Sequence, residues 1–256
     1  MHDIARVALY FRTSFNYFSK KAYITPLVKK PGLDEDEASN FGPVSSLSVL
    51  SKTLERAVRR QLECHLNSAC LFPSHQSGYR WHHSTETVLL RVCSDIITHL
   101  DKGEYTLTAF LDLSAALDTV DRDILVERLS RTFGIQGTAI EWFQSYLPTW
   151  TIGWNTFCTN GLKSPVRTVL FGVPQGSVLN GPLLFLLYTA DLEIIARQFG
   201  VQVHLFGRPH ATELADERLL HYLDEIARWM QSNCLSLNPS KTQFMRCATA
   251  RRLTAE

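Results

Sequence analysis

Four aspartates, Asp112, Asp118, Asp121 and Asp123, stand within twelve positions at the end of an uncharged run, Thr106-Leu107-Thr108-Ala109-Phe110-Leu111. The run is β-branched, aromatic or aliphatic throughout, the signature of a buried strand, and it ends on the carboxylate of Asp112. A carboxylate at the end of a buried strand is costly unless something positive meets it. A hard metal ion, which takes carboxylate oxygens, is the functional answer. An exposed strand end or a helix cap is the plain one, and the residues alone leave both open. Two other stretches carry chemistry. Gly172-Val173-Pro174-Gln175-Gly176-Ser177 is a glycine-rich loop with few side chains in the way, so a ligand could approach its backbone closely. Lys52, Arg56, Arg59 and Arg60 share one helix face, either a phosphate contact or a solvated surface.

The elements that position these residues follow from periodicity and punctuation. Ala22–Val28 reads as a strand, Lys29-Lys30-Pro31-Gly32 as a turn, and the acidic run Asp34–Glu37 as a loop. Leu47, Leu50, Leu54, Val58 and Leu62 recur at helical steps and define one buried face. Ser84 is a natural N-cap for a helix turning Val88, Leu89, Val92, Ile96 and Leu100 inward, with Lys102-Gly103 as its stop. A helix after Asp121 ends at Gly134, and Thr138 with Glu141 has capping-box spacing ahead of Trp142 and Phe143. Residues 148–170 read as turns and short strands. A buried helix follows the glycine loop, then a strand over 201–206. A long helix starts near Thr212, and a last strand opens at Lys241 after the Asn238-Pro239-Ser240 turn. Helices outweigh strands, and strands occur in both halves, so the class is α+β.

Composition narrows the function classes. The chain has 256 residues, 45 % hydrophobic and 20 % charged, with net charge +1. That is enough apolar material for a core, and it argues against a coat of positive charge while leaving room for a local basic groove. Six cysteines lack Cys-x-x-Cys spacing and form no zinc-like cluster with histidine. They are expected as reduced thiols in an intracellular setting, cytoplasmic or nuclear. Arg6 and Arg12 break the apolar amino end, so no signal peptide is expected. The uncharged run 168–190 is interrupted by Pro174, Gly176, Gly181 and Pro182, so it suits a loop feeding a buried helix better than a membrane span.

Six blocks, in this order, resemble the reverse transcriptase domain of non-LTR (LINE-type) retrotransposons. They are Leu50-Ser51-Lys52-Thr53-Leu54-Glu55-Arg56, Ser74-His75-Gln76-Ser77-Gly78-Tyr79-Arg80, His83-Ser84-Thr85-Glu86-Thr87, Leu111 through Asp121, Phe171 through Leu179, and Leu237-Asn238-Pro239-Ser240-Lys241-Thr242. The resemblance covers residues 22–247. It implies a right-hand polymerase architecture, with fingers over about 22–104 and palm over about 105–247, a basic and poorly ordered segment at 1–21, and a tail at 248–256. It implies RNA-directed addition of deoxynucleotides to a DNA primer on an RNA template, with Mg2+ as cofactor in a two-metal clamp. By the same resemblance Asp112 is a metal-binding catalytic aspartate and Lys241 lies near the leaving phosphate. Arg80 meets the incoming triphosphate. Leu117 stands where an aromatic residue usually screens the sugar, and Gln175 and Gly176 support the template and nascent base pair.

The chain also departs from that pattern. The family's next block is a β-hairpin whose tip carries two adjacent aspartates, which would complete the metal site beside Asp112. Here His204-Leu205-Phe206 is followed by Gly207-Arg208-Pro209-His210, and no acid appears before Glu213. The helical pattern resumes early, as if the hairpin tip and returning strand were deleted. Arg208 would then bring positive charge toward the metal position. Asn180 looks inserted before Gly181-Pro182, and Gly42 stands where an arginine is usual. The expectation is a palm sheet lacking one hairpin strand and a catalytically inactive domain. The alternatives are an active polymerase whose segment was lost through a gene-model or splicing error, and a non-catalytic nucleic-acid-binding remnant. From its length alone, the chain is not expected to include the endonuclease domain such elements often carry.

Overall fold

The computed structural model describes residues 21–248 apart from 38–39, 75, 81, 153, 160–161, 165–170, 174, 180–182, 200–204 and 208–211. In chain order the elements are β1 (Lys21–Val28), β2 (Phe41–Ser46), α1 (Val49–Ser68), α2 (Thr85–Asp101), β3 (Tyr105–Phe110), β4 (Leu113–Ser114), α3 (Arg122–Arg131), α4 (Thr138–Ile152), β5 (Trp154–Thr159), β6 (Leu162–Lys163), α5 (Phe185–Tyr188), α6 (Leu192–Gln198), β7 (Leu205–Gly207), α7 (Thr212–Ser232), β8 (Ser236–Leu237) and β9 (Gln243–Cys247). The class is mixed α+β. The chain divides into two compact units, one of residues up to 72 with 117–188 and the other of 73–116 with 189 onward.

The first unit joins a four-stranded sheet, ordered β2-β1-β5-β6, to the helices α1, α3, α4 and α5. β1 runs antiparallel to β2, with Tyr23 opposite Ser46, and parallel to β5, with Lys21 opposite Trp154. α1 starts where Ser48 Oγ accepts the amide of Ser51 at 3.1 Å, which satisfies one orphan donor of the first turn. Its buried stripe of Leu54, Val58, Leu62 and Leu66 follows the helical period. Leu125, Leu129, Phe133, Phe143, Tyr146 and Leu187 complete a deep core. Leu50, read as part of the inward stripe, is 55 % exposed, because it falls on the first turn beyond the buried face. α4 extends to Ile152, so the expected turns begin later than position 148.

The second unit centres on β3, flanked by β7 and β9, both antiparallel to it, while β4 pairs with β8. Ser84 and Thr87 form the reciprocal capping box that opens α2. Leu107 on β3 packs with Leu219 of α7, with Ala109, Phe199, Tyr222 and Leu223 around them. Of the stripe expected to turn inward on α2, only Ile96 is buried, and Leu89 is 53 % exposed, so the helix has more apolar face than the unit covers. The described part of the expected strand 201–206 is Leu205–Gly207, an edge strand; 201–204 lie outside the described residues. The last strand opens at Gln243, two residues after Lys241.

Candidate active site

Asp112 lies between β3 and β4, where the chain leaves one ladder and joins another. Asn238 holds it from the far end of the sequence. The Asn238 amide donates to the Asp112 carbonyl at 2.8 Å, and Nδ2 donates to Asp112 Oδ2 at 3.3 Å. Lys241 Nζ stands 3.6 Å from the same Oδ2. Asn238 is itself fixed, because its Oδ1 accepts the amide of Ser240 at 3.2 Å and its hydroxyl at 2.7 Å. The turn therefore aims two donors at one carboxylate oxygen. Both charged side chains keep a wide exposed surface, 44 % for Asp112 and 70 % for Lys241, so the ion pair is screened by water.

The hairpin partner of β3 does not bring acids to this point. Leu205 sits opposite Leu107 and Gly207 opposite Tyr105. The chain direction of β7 thus runs from the Asp112 end of β3 toward its beginning. The register carries the chain away from Asp112 as far as Gly207; Arg208, expected to bring positive charge toward the metal position, lies outside the described residues. Among the described residues no group of three or more His, Cys, Asp or Glu side chains could hold a metal ion. An amide and an ammonium on a single carboxylate are not the oxygen set that Mg2+ takes, so the described residues do not fit the ion.

Arg80, in the same unit, braces its own loop. Its Nη1 donates to the carbonyls of Pro73 at 3.2 Å and Gln76 at 3.1 Å. Leu117, Gln175 and Gly176 belong to the first unit. The loop carrying the latter two is stitched down at its leading end. Gly172 N donates to Val120 O and Val173 N to Leu117 O, at 2.9 and 2.8 Å. Arg122 clamps the Gly172 carbonyl through Nε at 3.2 Å and Nη2 at 2.9 Å. Burial lowers the Arg122 pKa to about 10, opposed by Asp121 and Asp123, so the guanidinium stays charged at neutral pH. A Cβ on Gly172 would lie 2.7 Å from the Asp118 carbonyl, so only glycine allows this approach. The Asp118 carboxyl keeps an exposed side, yet desolvation by the surrounding protein raises its pKa. In the middle of the loop, Ser45 N donates to Gln175 O at 2.8 Å, and Gly176 adopts φ +112° against Ser45 O.

The cluster of four acids is thereby sorted. Asp121 is a helix cap, its Oδ1 accepting the amides of Asp123 and Ile124. Asp118 borders the glycine loop, and Asp123 stands in the first turn of α3. Asp112 stands beside the Lys241 ammonium. Sequence reasoning singled out the Asn238 turn without seeing that it grips Asp112 from 126 positions away, and no local pattern signals that pairing.

A family model for reverse transcriptases (RNA-dependent DNA polymerases) matches residues 28–253. The chain belongs to the reverse transcriptase family. The resemblance to the non-LTR retrotransposon members is borne out by the relatives. The chain is 30 % identical over 228 residues to the probable RNA-directed DNA polymerase from transposon BS of Drosophila melanogaster, covering 84 % of this chain and 24 % of that one. It is 28 % identical to the corresponding X-element protein of the same fly, covering 95 % of this chain and 27 % of that one. It is 27 % identical to the RNA-directed DNA polymerase from mobile element jockey of Drosophila funebris, covering 84 % and 24 %. The chain thus spans about a quarter of the length of the curated relatives it matches. Among solved structures, apo telomerase from Candida tropicalis truncated from its C-terminal domain superposes with a TM-score of 0.60 at 14 % identity, covering 96 % of this chain and 55 % of that one. This likeness supports the polymerase fold. No helix among the described residues is long and apolar enough to cross a membrane.

Proposed function

We propose that this chain is a reverse transcriptase domain of the non-LTR type that engages a DNA primer on an RNA template but does not extend it. The observation that carries the proposal is the state of Asp112. Its Oδ2 meets Asn238 and Lys241, and among the described residues no group of three or more His, Cys, Asp or Glu side chains could hold a metal ion. Polymerisation by a two-metal clamp needs acidic ligands for both ions, and a single carboxylate cannot supply them. The fingers and palm division at about residue 104, the triphosphate contact of Arg80, the sugar contact of Leu117 and the base-pair support by Gln175 and Gly176 belong to this proposal. So do Lys241 beside the leaving phosphate and deoxynucleotides as ligands. For binding, the exposed cations Arg56 and Arg60 of α1 and the locked glycine loop supply a basic and rigid surface within the first unit.

Fluorescence anisotropy with a labelled DNA primer annealed to an RNA template tests this reading. Affinity should fall as salt rises, because phosphate contacts release counterions. Adding the deoxynucleotides with Mg2+ should leave the bound primer at its starting length. Failure to bind the duplex, or lengthening of the primer that depends on Mg2+, would overturn the proposal. A second reading has one observation behind it: the family match continues on both sides of Phe206, from 28 to 253. A short internal segment omitted at that point would account for it, and genomic sequence around the Phe206 codon encoding an acid pair would establish it.

A further inference from the structure

Glu55 is fully buried on α1, at 0 % exposure, yet it takes part in no ion pair among the described residues. Three donors converge on it. Tyr146 Oη donates to Oε1 at 2.9 Å, Ser177 Oγ donates to Oε2 at 2.9 Å, and Val178 N donates to Oε2 at 2.7 Å. A buried carboxylate is costly to maintain, and a leucine of similar size would pack in the same place without that cost. The position is therefore explained by what the carboxylate holds. Two of its partners are the residues that immediately follow Gln175 and Gly176.

The other restraints on that loop are already in place. Arg122 and the backbone of Leu117 and Val120 hold its leading end, and Ser45 holds its middle through Gln175 O. Gly176 is wedged so closely that a Cβ would lie 2.7 Å from Ser45 O. At the trailing end, Ser177 is buried, and its Oγ accepts the amide of Leu179 at 3.3 Å while donating to Glu55. Arg59 Nη1, one turn along α1, adds a weaker bond to Val178 O at 3.4 Å. Gln175 and Gly176 themselves remain exposed. The loop is thus an exposed turn with fixed flanks.

We infer that Glu55 is a positioning residue: it locks the trailing end of the Gln175–Gly176 turn so that the turn presents a rigid surface to a primer–template duplex. The inference rests on the proposed function, because the duplex is the ligand that reading assigns to the turn. Its chemistry is specific. A carboxylate accepts from all three donors at once. Glutamine can nearly reproduce this, with its carbonyl accepting from Val178 N and Ser177 Oγ while its amide donates to Tyr146 Oη. Leucine leaves the donors without an acceptor.

The test compares the wild-type chain with Glu55→Gln, Glu55→Leu and Ser177→Ala. Amide hydrogen exchange over 171–179 and global melting are measured without nucleic acid, and anisotropy is measured with the labelled primer–template. Glu55→Leu should speed exchange across 171–179 by at least about tenfold, the scale of losing a single bond to a charged acceptor. It should weaken duplex binding by a similar factor, while exchange in α3 and α4 stays as in wild type. Glu55→Gln should recover both. Ser177→Ala, which removes one bond from the turn side, should show a smaller change of the same kind, and it decides the matter if Glu55→Leu does not fold. Unchanged exchange over 171–179 in both Glu55→Leu and Ser177→Ala would overturn the inference, as would faster exchange with undiminished binding. A wild-type chain that does not bind the duplex would instead overturn the proposed function, while the exchange data would still decide whether Glu55 holds the turn.

Discussion

At Asp112 the carboxylate is held by groups that a divalent cation would have to displace. The two differ in what they contribute. The Asn238 side chain bonds Asp112 Oδ2 and closes its own turn through the amide and hydroxyl of Ser240, so three bonds fail together when that side chain is lost, while its backbone bond to Asp112 stays. Asn238→Ala should destabilise the chain by about 2 kcal/mol in urea unfolding. The Lys241 pair is wide and exposed, so Lys241→Ala should cost less than about 1 kcal/mol, with a difference that shrinks in high salt. An equal cost for the two would contradict the view that the amide, not the ammonium, organises this corner. Asp118 offers a pH test. Its carboxyl is raised in the folded state by desolvation, so its contribution is fully present below the unfolded pKa and is lost as pH rises through the folded one. Asp118→Asn should therefore melt slightly higher than wild type at pH 7 and the same at pH 3. A difference that grows on acidification would contradict the sign.

At the scale of elements, the glycine loop is fixed by backbone bonds and close approach. Gly176 combines φ +112° with a Cβ path blocked at 2.7 Å, whereas Gly134 has φ +65° with open space around it. Gly134→Ala should cost about 1 kcal/mol, the penalty of a left-handed residue alone. Gly176→Ala should cost about 3 kcal/mol, because strain and a backbone clash add. Much of the element order was readable. Ser84 and the Asn238 turn announce themselves through capping and turn chemistry, which act over three or four residues. β2 was not readable, since Phe41–Ser46 contains glycine and proline and becomes a strand by pairing with β1. The parallel pairing of β1 with β5 is invisible for the same reason, being a contact between distant segments. The exposure of Leu50 and Leu89 shows that periodicity fixes a face and not what covers it. For the candidate site, residue types were legible, while the grips of Asn238 on Asp112 and of Glu55 on the loop were not, because each is made by tertiary contact.

At the scale of the molecule, the two units differ in how much they bury. The first has a run of fully buried side chains across α1, α3, α4 and α5, whereas α2 of the second buries only Ile96. Native-state hydrogen exchange should find the slowest amides in α1, α3 and α4, with α2 opening at lower free energy. Protection in α2 equal to that in α1 would contradict this. Among the described residues β7 spans three positions and lies at one edge of the second sheet, with the neighbouring segments 200–204 and 208–211 outside them. On the proposed reading, the fold of a reverse transcriptase is retained around a site whose acidic set is incomplete.

Primer extension tests that central statement most directly. The chain is mixed in excess with a labelled DNA primer on an RNA template, all deoxynucleotides and Mg2+. The account predicts that the primer stays at its starting length for the wild-type chain and for Asp112→Ala alike. Extension by the wild-type chain that depends on Mg2+ and disappears in Asp112→Ala would contradict it.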